Sequence, residues 1–91
     1  MKDTDLSYMS VRRSKDQIVA QILGLCQEDG ASKTRIVYLV NLNFHNVNTY
    51  LDLLLGKGLI EATQSNRPIY KTTPKGEWAL ESLREVEAIY S

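Results

Sequence analysis

The apolar residues of this chain recur with the spacing of α-helices in four separate stretches. The first stretch begins after Ser14, and Gln17 three residues later completes a capping box, which is typical of a helix start. The sequence Glu28-Asp29-Gly30 predicts the end of this helix. Its buried face is predicted to carry Ile18, Ile22, Leu25 and Cys26.

Two further helices are predicted on either side of a tight turn at 41–43. Ser32 caps the second helix and Asn43 caps the third. Gly58 is placed to end the third helix in the left-handed conformation. The core-facing residues of the second helix are predicted to be Ile36, Leu39 and Val40. The apolar stripe of the third consists of Val47, Tyr50, Leu51 and Leu54.

The apolar period changes from helical to strand-like after the third helix. LIEATQ (59–64) and IYKTT (69–73) flank SNRP (65–68), which predicts a hairpin. Thr73 then caps a last helix, with Pro74 in its first position. The order helix, helix, turn, helix, hairpin, helix predicts a mainly α fold with a small β-hairpin (α+β). This fold is a winged helix-turn-helix with an added C-terminal helix.

The same patterns divide the chain into three parts. Residues 1–13 lack a clear period and are predicted to be a polar arm. Residues 14–73 form the winged helix-turn-helix domain, which we expect to bind DNA. Residues 74–91 form the C-terminal helix, which we expect to mediate dimerisation.

Composition narrows the function without deciding it. The chain has 91 residues, 43% of them hydrophobic, and its 11 basic and 11 acidic residues give a net charge of zero. Any affinity for nucleic acid must therefore come from where the charges lie. Cys26 is the only cysteine, which excludes an intrachain disulfide and a multi-cysteine zinc site. We expect neither a cofactor nor a metal.

The beginning of the chain bears on its location. MKDTDLSYMS contains acidic residues and no apolar run, so we expect no secretion signal. We also expect no membrane-spanning segment, since no stretch has the necessary length. These features favour a cytoplasmic, nucleoid-associated protein.

Three stretches of sequence carry a family resemblance. KTRIVYLVNLNF (33–44), TYLDLLLGKGLIE (49–61) and IYKTTPKGEWAL (69–80) resemble archaeal winged-helix transcription regulators. They are most similar to small archaeal DNA-binding proteins that join a winged helix to a C-terminal dimerising helix. The resemblance implies sequence-specific transcription control or chromosome-associated DNA binding, usually as a dimer.

The polar face of the third helix is the candidate for contacting DNA bases. Asn offers a bidentate partner to adenine, and Thr offers a methyl group to thymine or a hydroxyl to a base edge. Asn is also a poor helix former, so Asn at 43, 46 and 48 is costly if these side chains meet only water. The predicted base-contacting residues are His45, Asn46, Asn48 and Thr49. The alternative is a plain solvated helix face.

Contacts to the phosphate backbone must come from other elements, since the first three turns of the third helix contain no Lys or Arg. Candidates lie at the start of the second helix, at the hairpin tip and after it. They are Lys33, Arg35, Arg67, Lys71 and Lys75. A cluster of Arg12, Arg13 and Lys15 is interpreted either as an arm that enters a groove or as a solubilising terminus.

The last helix carries more apolar surface than a small domain can cover. Its a/d-like pattern favours a homodimer through this helix; the alternative is that the whole helix packs on its own domain. The predicted interface residues are Trp78, Ala79, Leu83, Val86 and Tyr90.

A winged helix can also serve as a protein–protein interaction module that binds no DNA. Zero net charge, the acidic Asp52 and the apolar Leu53 on the third helix favour that alternative. An enzyme is not expected, because His45 is the only histidine and no nucleophile or carboxylate pair accompanies it.

Overall fold

Four helices and a three-stranded antiparallel sheet make up residues 13–90, the part of the chain that the computed structural model describes. Residues 1–12, nearly the whole predicted arm, and residue 91 lie outside the described residues, as does the side chain of Tyr90. The helices are α1 (Lys15–Leu25), α2 (Lys33–Val40), α3 (Phe44–Gly56) and α4 (Pro74–Tyr90). The strands are β1 (Ala31–Ser32), β2 (Ile60–Ala62) and β3 (Ile69–Thr72).

The predicted capping box starts α1. Ser14 Oγ accepts a hydrogen bond from Gln17 N at 3.1 Å, and Gln17 Oε1 accepts one from Ser14 N at 2.8 Å. The helix ends at Leu25, so the predicted end at 28–30 is wrong. The residues after Leu25 form a separate turn, in which Glu28 takes a φ of 60° that a right-handed α-helix cannot accommodate.

The helix-turn-helix unit follows the predicted caps. Ser32 Oγ accepts from Arg35 N at 3.2 Å to start α2, and Asn43 Oδ1 accepts from Asn46 N at 2.7 Å to start α3. Between them Asn41 takes the left-handed conformation, with a φ of 62°. Its short polar side chain tolerates this conformation better than most residues do.

One predicted core residue of α2 is exposed. Ile36 and Val40 are buried, but 53% of Leu39 is accessible to solvent. Leu39 borders an open groove between α1, α2 and α4, and no described element covers it. The prediction for Leu39 is therefore wrong, because the face of α2 that packs is centred on Ile36 and Val40, with Val37 partly buried beside them.

The predicted hairpin is present, but it belongs to a larger sheet. The strand order is β1-β3-β2, and β3 pairs antiparallel with both neighbours. The strand β1 has only two residues, too few to show a period, and was not predicted. Its pairing opposes Ser32 to Ile69, so the first turn of α2 lies beside the hairpin.

A single apolar core fills the space between the helices and the sheet. Ile22, Ile36, Val47, Leu54 and Leu80 have at most 1% of their surface exposed. Each such side chain contributes roughly 1.5–3 kcal/mol through burial. Leu80 brings α4 into this core, and the contact of α4 with α1 makes the C-terminal helix part of the domain.

Close approach of α4 to the end of α3 generates a first prediction. A Cβ at Gly76 would overlap the carbonyl oxygen of Leu59 and lie 2.8 Å from Thr72 Cγ2, whereas a Cβ at Gly56 would meet nothing within 4 Å. We expect Gly76→Ala to lower the free energy of unfolding by about 1–3 kcal/mol. Gly56→Ala, the control, should raise it by about 0.5–1 kcal/mol. Urea denaturation measures both, and equal effects would contradict the packing at Gly76.

The burial of Cys26 leads to a second prediction, which concerns the pH dependence of stability. The thiol is fully buried, and desolvation raises its pKa from 9.0 to about 11. Between these two values the unfolded chain loses the thiol proton and the folded chain keeps it, so stability falls as pH rises. Between about pH 8 and about pH 10, we expect the wild type to lose about 1 kcal/mol more than Cys26→Ala. Parallel losses in urea denaturation would show that Cys26 does not titrate in this way.

Candidate nucleic-acid interface

The outward face of α3 is open to solvent and mainly polar, although Leu53, 44% exposed, lies beside Asn46 and Thr49. His45, Asn46, Asn48 and Thr49 are all exposed, on the side opposite the buried Val47 and Leu51. The structure thus places the four predicted base-contacting residues on one surface.

Most of the polar groups on this face have no partner within residues 13–90. Asn43 Oδ1 caps α3, so the cost of this asparagine is explained by the fold. Thr49 Oγ1 makes only a long bond of 3.5 Å to the carbonyl of His45. The side-chain amides of Asn46 and Asn48 make no hydrogen bond to any residue of the described part. These amides are free to bind a ligand.

Lys33 and Arg67 lie on opposite sides of one cleft. The cleft separates the first turn of α2 from the hairpin tip, and its lining is completed by Ser32, Thr34, Asn66, Pro68 and Tyr70. The pairing of Ser32 with Ile69 brings these two basic residues together, although they are distant in sequence. Arg35 is exposed in the same first turn of α2. The free N–H groups of a helix start add to the attraction for anions here.

The hairpin presents its basic residues differently. The Ser65 hydroxyl accepts a hydrogen bond from the main-chain N–H of Arg67 at 3.0 Å, and the exposed Arg67 side chain makes no bond to the described residues. Lys71 is exposed on β3 directly opposite Glu61 of β2. Part of the field of Lys71 is therefore balanced by its cross-strand neighbour.

Lys75 has a partner inside the fold. Its Nζ donates to the carbonyl oxygen of Lys57, at the end of α3, over 2.8 Å. A cation is favoured there because the last carbonyls of a helix carry partial negative charge. The sequence offers no local signal for this contact, since 18 positions separate the two residues.

The basic cluster before α1 is divided by the structure. Arg13 donates to the side-chain oxygen of Gln21 and to the carbonyl of Asn41, the latter over 3.2 Å, so it joins α1 to the helix-turn-helix turn. Lys15 lines a groove with Asn46 and Thr49, beside the polar face of α3. In the sequence, the only signal that Lys15 could contact DNA is its place in the basic cluster with Arg12 and Arg13. Arg12 lies outside the described residues.

The predicted dimer residues do not lie on one continuous exposed stripe. Trp78 is 71% exposed and Val86 is 51% exposed, but Ala79 and Leu83 are partly buried against the core of their own domain. Leu80 is inside that core. Ile89, 78% exposed, extends the outward apolar surface of α4.

Within residues 13–90, no three His, Cys, Asp or Glu side chains lie close enough together to hold a metal ion. No helix in the same part combines the length and the apolar character needed to cross a membrane.

The fold and this surface define a winged-helix protein whose third helix presents a free polar face beside a basic hairpin. The chain belongs to the winged helix-turn-helix family, whose family model matches residues 12–91. This match confirms the predicted fold.

Two curated relatives come from Methanocaldococcus jannaschii. The uncharacterized protein MJ0290 is 36% identical over 85 residues, which cover 92% of this chain and 39% of MJ0290. The uncharacterized protein MJ0287 is 32% identical over 75 residues, which cover 82% of this chain and 74% of MJ0287. The chain thus spans about two fifths of the first relative and about three quarters of the second.

Similar solved structures include proteins described as DNA-binding. Sso10a-2, a DNA-binding protein from Sulfolobus solfataricus, has a TM-score of 0.79 and 30% identity over 86% of this chain and 82% of its own. The transcriptional regulator BldR from the same organism has a TM-score of 0.75 and 22% identity, over 81% and 56% of the two chains. BldR shows likeness of fold alone. The predicted resemblance to archaeal winged-helix proteins is confirmed.

Another similar structure holds nucleic acid. It is the transcriptional repressor CouR bound to a 23-mer DNA duplex, with a TM-score of 0.67 and 26% identity. The match covers 88% of this chain and 58% of CouR.

Proposed function

We propose that this chain is a DNA-binding transcription regulator that acts as a homodimer on double-stranded DNA. The observation that carries the proposal is the exposed face of α3, where the amides of Asn46 and Asn48 have no partner in the described residues. Membership of the winged helix-turn-helix family supports it, as do the DNA-binding protein Sso10a-2 and DNA-bound CouR. These relatives favour DNA binding over the protein–protein interaction module.

In this proposal α3 enters the major groove, which is wide enough to admit a helix. Asn46 and Asn48 pair with adenine edges, and Thr49 contacts a thymine methyl group or a base acceptor. His45 lies in the first turn of α3, where it donates to guanine or to a phosphate. Asp52, further along the same face, accepts from the amino group of cytosine.

Phosphate contacts hold the protein around that groove. The cleft between Lys33 and Arg67 clamps one backbone segment, with Arg35 and Lys71 on either side. Lys15 supports the other side of α3. Lys75 would have to leave its bond to the Lys57 carbonyl to reach a phosphate, so we assign it to the fold.

The second subunit covers the outward apolar surface of α4. Trp78, Val86 and Ile89 supply most of it, and the exposed edges of Ala79 and Leu83 complete it. Such a patch on a small domain is typical of an interface. The predicted interface residues therefore divide into two groups. Ala79 and Leu83 pack partly on their own domain, whereas Trp78 and Val86 face the partner subunit in this proposal.

This function places the protein in the cytoplasm on the nucleoid. It involves no catalysis, no cofactor and no metal.

The salt dependence of binding tests the DNA interface. Fluorescence anisotropy with mixed-sequence duplex DNA should show binding that weakens steeply with salt, because phosphate contacts release counterions. Arg67→Ala and Lys71→Ala should each lower the slope of log K against log salt by about one per lost phosphate contact.

Arg84→Ala is the matched control. It removes the same charge from α4, where Arg84 borders the groove with α1 and α2 and does not line the cleft at the hairpin tip. If all three variants lowered the slope of log K against log salt equally, binding would depend on net charge rather than on the basic residues of the hairpin. No binding by the wild type at low salt would overturn the proposed function.

The α4 surface is tested by oligomeric state. Ile89→Glu places a charge on the outward apolar surface, and we expect it to raise the dimer dissociation constant at least about ten-fold, since a buried unpaired charge is costly. Gln64→Glu, on the exposed hairpin loop, adds the same charge away from α4 and should leave the dimer intact. Sedimentation equilibrium measures both, and an unchanged Ile89→Glu dimer would exclude this surface.

A further inference from the structure

The first turn of α4 is hydrogen-bonded to the end of α3. Thr73 Oγ1 donates to the carbonyl oxygen of Gly58 over 2.6 Å, and the main-chain N–H of Thr73 donates to Leu59 O over 3.0 Å. Lys75 Nζ donates to Lys57 O over 2.8 Å. Three consecutive carbonyls at the end of the base-contacting helix are thus bound by two residues of the last helix. We call residues 57–59 and 73–76 the α3–α4 junction.

The way α3 ends explains why these carbonyls are available. Gly58 takes a φ of 71°, and the N–H groups of Gly58 and Leu59 donate back to Leu55 O and Leu54 O. This Schellman arrangement satisfies the carbonyls of the last helical turn. It leaves the carbonyls of 57–59 outside the helix ladder, in a region of partial negative charge that favours an ammonium group and a hydroxyl donor.

The Thr73 hydroxyl belongs to both helices. It accepts a hydrogen bond from Gly76 N at 3.0 Å, which caps the start of α4, while it donates to Gly58 at the end of α3. Gly76 approaches the Leu59 carbonyl so closely that a Cβ would overlap it. The angle between α3 and α4 therefore cannot change without breaking these bonds.

We propose that Thr73 and Lys75 are positioning residues that set the angle between the dimer helix and the base-contacting helix. They thereby select the spacing between the two DNA half-sites that the dimer accepts. This inference rests on the proposed function, in which α4 joins the subunits and α3 enters the major groove. Neither residue contacts DNA.

The length of α3 explains how the junction can influence the spacing of the half-sites. Thirteen helical residues extend about 20 Å, at about 1.5 Å each. The base-contacting residues His45 and Asn46 lie at the end of α3 opposite the junction. A small rotation at the junction therefore moves them by about the rise of one base pair, about 3.4 Å. In a dimer both recognition helices are displaced, so a junction that fixes the angle narrows the range of half-site separations that the dimer accepts, and loss of the junction broadens that range.

Selection from a random-sequence duplex library tests the proposal with the full chain. The enriched sequences report both the half-site and the distribution of spacings. Thr73→Val removes the hydroxyl at nearly constant shape, and Lys75→Met removes the ammonium from an exposed position where loss of folding is not expected. Thr73→Ser and Lys75→Arg are the conservative controls, since each keeps a hydrogen-bond donor at its position. Lys57→Met removes a neighbouring charge but keeps the Lys57 carbonyl.

We expect the wild type to enrich paired half-sites at one spacing, at least ten-fold over spacings one base pair away. Thr73→Val and Lys75→Met, and more strongly the two combined, should reduce this preference to about two-fold while the half-site sequence stays the same. Thr73→Ser, Lys75→Arg and Lys57→Met should keep the wild-type spacing. A merely stabilising contact would lower affinity at every spacing alike.

Three outcomes contradict the proposal in different ways. An unchanged spacing preference in the combined variant overturns the role of the junction and leaves the proposed function intact. Enrichment of single, unpaired half-sites by the wild type also overturns it, while DNA binding stands. Failure of the wild type to enrich any duplex overturns the proposed function, and the positioning role falls with it.

Discussion

The attachment of β3 to the end of α1 is the contact on which the rest of this structure depends. Thr72 is buried, and its hydroxyl donates to Leu23 O over 2.7 Å while its N–H donates to Cys26 O over 2.9 Å. Both carbonyls lie at the end of α1, where a helix has no internal donors left for them. Because β3 is the central strand, this contact also fixes both neighbouring strands and the start of α4.

The central position of β3 also assembles the candidate DNA surface. Its pairing with β1 carries the first turn of α2 to the hairpin, so that Lys33 and Arg67 face one cleft. Its pairing with β2 lets α4 begin where α3 has ended. A chain of zero net charge can thus present a locally basic surface. Lys33 and Arg67 meet at the hairpin, while the acidic residues Glu77, Glu81, Glu85 and Glu87 lie on α4.

A division of roles follows for residues of the same chemical type. Arg67 at the hairpin tip is exposed and makes no side-chain bond to the described residues, whereas Arg13 is bound to the helix-turn-helix turn. Lys71 faces solvent, whereas Lys75 binds the end of α3. The side chain of Asn43 caps α3, whereas the side-chain amides of Asn46 and Asn48 make no hydrogen bond within residues 13–90. Position in the fold, not residue type, separates the exposed polar groups that are proposed to contact DNA from the groups that hold the protein together.

Features that depend on neighbours within a few residues could be predicted from the amino-acid sequence. The caps at Ser14, Ser32 and Asn43, the polar face of α3 and the hairpin are all of this kind, because capping, helical period and turn chemistry are local. The pairing of β1, the exposure of Leu39 and the partners of Arg13 and Lys75 became known only from the folded structure. Each of these depends on segments that are distant in sequence, and no local pattern encodes which segment will lie opposite.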